Sequence, residues 1–179
     1  MKISLYKFNP RIIVVMVTLA VALAASASLS FRTTASAQAN DEAAVRLALT
    51  QSATGFERSD LAMLNGVYAN DESVTIFESG HANYGWADYR DHHLEPEMKE
   101  FKNTKYALSD IKVKVAGDTA WATYKYALAG DIKDRHIDVN GLGTAVLEER
   151  DGRWLIVHSH TSAPRRPPAA KPATPSKKK

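Results

Sequence analysis

The sequence predicts an α+β domain, with helices laid on one face of a curved antiparallel sheet. Three observations carry that reading. Helical spacing of apolar residues recurs up to about Phe101, and alternating β-branched and aromatic stretches then fill the chain from Tyr106 to Thr161. Short turn signals, Ala116-Gly117-Asp118 and Asp151-Gly152, separate those stretches, as in strands joined by hairpins. The length of 179 residues suits one domain.

Residues 41–57 predict the first helix, with Val45, Leu49 and Phe56 near helical spacing and acids in the first turn. Ser59 is placed to cap a short second helix through Leu61 and Leu64, ended by Asn65-Gly66. Residues 73–78 alternate as a strand with Val74, Ile76 and Glu78 on one face. A glycine-bounded loop over 80–85 then leads into a third helix over about 86–101. Strands are expected over 106–115, 119–128, 137–149 and 154–161. Gly141 and Gly143 fall inside the third of these and mark a bend or bulge.

The two ends differ from this middle. Residues 1–37 join a basic start (Lys2, Lys7, Arg11), an apolar run from Ile12 to Ala25 and an Ala35-Ser36-Ala37 site, the parts of a secretory signal peptide. Export, to a bacterial periplasm, is the expected location. Residues 163–179 hold five of the seven prolines and six bases, so a disordered cationic tail is expected, suited to weak contact with anionic envelope surfaces. All 20 acids but only 13 of the 23 bases fall between the two ends, over residues 38–162, a net charge of −7. A unit this acidic repels a phosphate backbone, which argues against a nucleic-acid partner. The absence of cysteine excludes disulfides, thiol nucleophiles and Cys-based metal sites.

The third helix carries the densest chemistry. At about 100° per residue from Trp86, the face of Trp86, Tyr89, Leu94, Met98 and Phe101 centres at about 40° and also takes Arg90, His93 and Glu97, whereas His92 points away. Charged groups on such a face must pair, as Arg90 with Glu97 would, or line a cavity. On the last strand, His158 and His160 share a parity with Trp154 and Ile156 and project to one side. Trp86, Tyr89, Arg90, His93, Glu97, Tyr124, His158 and His160 are therefore the expected ligand-pocket residues. His81, His93, His158, His160 and Glu78 form a candidate set for a divalent transition metal, though without any tight metal-binding spacing. Glu78 and His93 are the candidate general bases.

Tyr68-Ala69-Asn70-Asp71, Gly85-Trp86-Ala87-Asp88-Tyr89-Arg90, Gly117-Asp118-Thr119-Ala120 and the ending from Asp151 to Ser162 resemble a SnoaL-like domain of the nuclear transport factor two-like superfamily, which includes ketosteroid isomerase. The resemblance spans residues 41–162. It implies a cone: a strongly bent sheet wrapped by three helices around an apolar pocket, often in a homodimer. It implies no single reaction, since the superfamily holds isomerases, cyclases, dehydratases, hydrolases and binding modules. The strand position of the isomerase's catalytic Asp falls at about Ile76, and residues 41–57 contain no Tyr to match its oxyanion donor, so steroid isomerisation is disfavoured. Two functions follow as expectations. The pocket binds a small molecule or metal ion without turnover, or the protein is a lyase, isomerase or hydrolase using His93 or Glu78 as base.

Overall fold

A computed structural model describes residues 36–164. The expected export segment and cationic tail lie outside the described residues, apart from 36–37 and 163–164. No helix among the described residues is long and apolar enough to cross a membrane.

Helix α1 covers 36–58, and its portion from Ala44 onward belongs to the compact unit that holds everything described below. Helix α2 is Leu61–Val67. Its cap is Asp60, whose carboxylate accepts from the Met63 amide, and not Ser59; the helix runs through Asn65-Gly66 to Val67. The Asn65 side chain instead accepts the indole N–H of Trp86 at 2.8 Å. Trp86 is fully buried and stacks on Tyr68 with ring centroids 4.3 Å apart.

Strand β1 is Thr75–Glu78, and β2, His81–Tyr84, pairs with it antiparallel in place of the expected loop. The turn between them, Ser79-Gly80, has positive φ at both residues (53° and 86°), the geometry of a tight hairpin turn. Ser-Gly between two extended runs is the sequence signal of that turn. Upstream of β1, Asp71 accepts from Ser73 and pairs with Arg150 of the sheet, which together lower its carboxyl to about 2. A depressed carboxyl contributes stability above its unfolded value of 3.8 and loses it as pH falls toward 2. Asp71→Asn is therefore expected to flatten acid unfolding in that window, read as the denaturant midpoint against pH.

Helix α3 covers 86–100 in three pieces: an α turn Trp86–Tyr89, a π turn Arg90–Leu94 and an α turn Glu95–Glu100. The Glu95 amide reaches back to the Arg90 carbonyl, five residues away, and Pro96 then offers no N–H to an α-type bond.

The chain then enters β3 (Phe101–Ala116), β4 (Thr119–Ile132), β5 (Arg135–Arg150) and β6 (Arg153–Ser162). The sheet order is β2-β1-β6-β5-β4-β3; all pairs are antiparallel except β1 with β6, which run parallel. This is the expected α+β cone: three helices against a curved, unclosed sheet. Along β4, Ala120, Ala122, Tyr124 and Tyr126 are buried while Trp121, Thr123 and Lys125 are exposed, the alternation of a sheet with one covered face.

Two local features differ from expectation. The β4–β5 ladder passes Gly141 and Gly143 without a register shift, so they mark no bulge. They pair with Tyr126 and Tyr124, whose rings occupy the space a side chain would need. A Cβ on Gly143 would sit 2.1 Å from the Tyr124 ring, and one on Gly141 would sit 2.4 Å from the Tyr126 ring. Register shifts fall instead on β3, between Lys102 and Lys105 and between Ser109 and Lys112, and on β6. Leu147 pairs with Ile156 but Val146 pairs with His158, leaving Val157 as the extra residue.

Candidate functional site

A cavity of about 290 Å³ lies between the covered face of the sheet and the helices. Apolar side chains such as Leu49, Phe56, Ile76 and Phe101 form most of its wall, together with five tyrosines: Tyr68, Tyr89, Tyr106, Tyr124 and Tyr126. Among the described residues, the only carboxylates on the wall are Glu78 and Glu97, and no Lys, Arg or His lines it.

Glu78 ends β1 and Glu97 sits one turn after the π segment, so strand and helix bring them together. The imidazole of His93 stands beside both. Its Nε2 is 3.9 Å from Glu78 Oε2 and 3.9 Å from Glu97 Oε2, and ligand atoms of the three residues lie within 4.8 Å of one another. The Tyr89 hydroxyl donates to Glu78 Oε2 at 3.1 Å.

The orientation of His93 is fixed from outside the cavity. Asn83 donates through Nδ2 to Asp88 at 2.8 Å, which turns its Oδ1 toward His93 Nδ1 at 3.2 Å. An amide oxygen only accepts, so Nδ1 carries the proton and Nε2 faces the carboxylates. Asp88 also meets His92 Nδ1 at 3.1 Å, so both histidines connect to Asn83 of β2, His93 directly and His92 through Asp88. His92 is 77% exposed and His93 24%.

Burial pushes the Glu97 carboxyl up to about 7, and the charges of Glu78 and Glu100 add to the effect. Burial, reinforced by the Glu78 charge, likewise raises the Tyr89 phenol well above its ordinary value, so Tyr89 remains a hydrogen donor. The phenols of Tyr68, Tyr106, Tyr124 and Tyr126 are also raised, chiefly by burial.

Among the residues expected to form a pocket or metal site, the structure unites Glu78, Tyr89, His93, Glu97 and Tyr124 at or beside the cavity. The others stand elsewhere. Trp86 is core, behind Tyr68. Arg90 does not meet Glu97; its guanidinium turns to Asp91 at 2.6 Å, as a long side chain can carry its charge off a buried stripe. The Val157 bulge reverses the strand parity, so Ile156, Ser159 and Thr161 line the cavity while His158 and His160 pack against Phe77. His158 bonds to Thr75 Oγ1 at 2.7 Å, and burial lowers its basicity. His81 is exposed on β2 with its ring 6.2 Å from that of His93. The five-residue metal set expected from sequence is thus not assembled; Glu78, His93 and Glu97 are the group that is close together.

Asn83, Tyr106 and Tyr126 stand at the site without having been expected there. Signals for the tyrosines exist in the sequence: Tyr124 and Tyr126 alternate on β4, and the paired glycines opposite them make room for large rings.

His93→Ala is expected to alter whatever the cavity binds or turns over, because it leaves the two carboxylates without their shared neighbour. His92→Ala is expected to shift stability by no more than about 0.5 kcal/mol. Denaturant midpoints and ligand affinity measured on both variants check this; a larger binding defect for His92 would reject the assignment.

The family model of the SnoaL-like domain matches residues 45–166. Among solved structures, a proposed ketosteroid isomerase from Shewanella frigidimarina NCIMB 400 is 27% identical, with a TM-score of 0.57, covering 64% of this chain and 91% of that one. A nuclear transport factor 2-like superfamily protein from Salmonella enterica serovar Typhimurium LT2 is 14% identical, with a TM-score of 0.64, covering 78% and 99%. A proposed dehydratase of the same superfamily from Streptomyces avermitilis is 19% identical, with a TM-score of 0.64, covering 71% and 98%. No curated protein matches the chain. With a family match spanning most of the domain and this cone around a cavity, the chain belongs to the SnoaL-like family.

Proposed function

We propose that the cavity binds a small, non-anionic molecule and that Glu78 and Glu97 move a proton on it, in an isomerase or lyase reaction. The observation that carries this is the carboxylate pair on an otherwise apolar and phenolic wall, with one member held protonated near neutral pH. Two like groups whose environments separate their ionisation supply a base and an acid at one pH. Glu78 takes a proton from a carbon of the bound molecule. Glu97 gives its proton to the oxygen at the other end of the shifting electron pair, which enolises or leaves as water. In the isomerase reaction Glu78 delivers its proton to a second carbon of the enol while the enol hydroxyl returns its proton to Glu97. In the lyase reaction the proton returns from Glu78 to Glu97 through His93 Nε2, which is equidistant from both and within about 1 Å of hydrogen-bond distance. The names of the Shewanella and Streptomyces proteins, a proposed isomerase and a proposed dehydratase, agree with this class.

The test has two parts. Carbon-13 NMR of labelled glutamate in the intact domain should show Glu97 titrating near 7; an ordinary titration near 4.5 would remove the acid from the mechanism. Ketones and β-hydroxy carbonyl compounds incubated in D₂O should then exchange or lose water with wild-type protein and not with Glu78→Gln.

Export is proposed on residues 1–37. Protein lacking them is expected to stay soluble without detergent, and a need for detergent would make the segment an anchor.

A further inference from the structure

Resting on the cavity reading above, the geometry points to a narrower ligand class: an organic cation, a primary or secondary amine carried on a compact apolar body. The wall presents one sign of charge. Among the described residues Glu78 and Glu97 are its only carboxylates, Glu97 keeps its proton near neutral pH, and no cationic side chain balances Glu78 there. His93 stands behind the pair and off the wall. An anionic ligand would meet uncompensated repulsion in a poorly screened space, whereas an ammonium group would complete an ion pair that the protein leaves open.

The aromatic groups support the same class independently. Tyr124 and Tyr126 are 8% and 9% exposed and line the cavity, and their hydroxyls make no hydrogen bond among the described residues. By contrast, the Tyr68 hydroxyl is occupied by Ser52 and the Tyr89 hydroxyl by Glu78. A ligand that brings polar hydrogens can donate to such phenol oxygens, and an ammonium brings up to three. Phenol and phenyl faces around the same space, including Phe56, Phe101 and Tyr106, attract a cation through their ring quadrupoles. The Tyr89 hydroxyl, already bonded to Glu78, holds that carboxylate at the wall.

The experiment is calorimetric titration of the full chain with three probes of one shape: cyclohexylmethylamine, cyclohexylmethanol and cyclohexanecarboxylate. The amine is expected to bind at least tenfold more tightly than the alcohol, with the carboxylate unmeasurable. Glu78→Gln should bring the amine down to the level of the alcohol. An unchanged far-ultraviolet circular dichroism spectrum and a cooperative urea transition show that the variant is folded. Equal affinity for amine and alcohol in the wild type would overturn the cation class and leave the cavity reading in place. Preference for the carboxylate, or no binding of any probe, would overturn the class as well. The acid–base reading fails separately, through an ordinary titration of Glu97, whatever these probes do.

Discussion

Glu97→Gln is expected to lower proton-transfer turnover by at least about 10²-fold, the contribution of a positioned general acid. The same substitution should change stability in a pH-dependent way. Glu97 holds its proton up to about 7 in the folded protein, whereas an exposed glutamate of the unfolded chain releases it at 4.5. Between those values the folded state binds more protons than the unfolded one, so stability falls as pH rises through this window. The gap corresponds to about 3 kcal/mol, all of it expressed above pH 7. The side chain is 28% exposed, so burial governs its behaviour more than solvent does. Gln does not titrate and should abolish the slope, leaving the variant more stable than wild type at pH 8 relative to pH 5. Urea midpoints at the two pH values read the difference directly, and parallel curves for both proteins would show that Glu97 is not the group held protonated.

Gly143→Ala should cost about 2–3 kcal/mol, the upper range of overpacking. The new methyl would fall 2.1 Å from one atom of the Tyr124 ring, 2.3 Å from another and 2.7 Å from its hydroxyl oxygen. Because β4 and β5 pair at this point, the strand cannot retreat without breaking the ladder, so the ring must swing off the cavity wall. Tyr124→Ala in the same chain should recover most of the loss, giving a coupling energy between the two sites. If Gly143→Ala costs as much without the ring as with it, the strain lies in the backbone instead.

Much of this architecture is readable from periodicity. The six-strand cone needs long amphipathic strands, and β4 announces itself through Ala120, Ala122, Tyr124 and Tyr126 against Trp121, Thr123 and Lys125. The inward turn of His93 and outward turn of His92 also follow from the helical wheel. What escapes depends on single residues that shift a period. Val157 adds one residue to β6 and exchanges the faces of everything after it, which sends His158 and His160 away from the cavity. Simple alternation has no way to register such an insertion. Arg90 shows a second limit: a wheel places Cα atoms, and a long flexible side chain can then choose an exposed partner such as Asp91. The Asn83 brace lies in a segment whose glycines suggest a loop, and its role becomes visible only when β2 pairs with β1.

The parallel pairing of β1 with β6 has a consequence for the order in which the molecule can assemble. Strands β3 to β6 form successive hairpins whose partners are close in the chain, so they can zip together from local contacts. Strand β1 has no such neighbour on its inner side: Thr75 meets His158, 83 positions later. Closing that loop carries an entropic cost before any pairing rewards it, which makes it a slow step. A growing chain would thus hold its helices and the β1–β2 hairpin in waiting until the final strand is made. Glu78 comes into place only when that strand docks, so the carboxylate pair forms at the last stage of folding, and a chain stopped before residue 153 would contain every acidic residue of the site yet have no site.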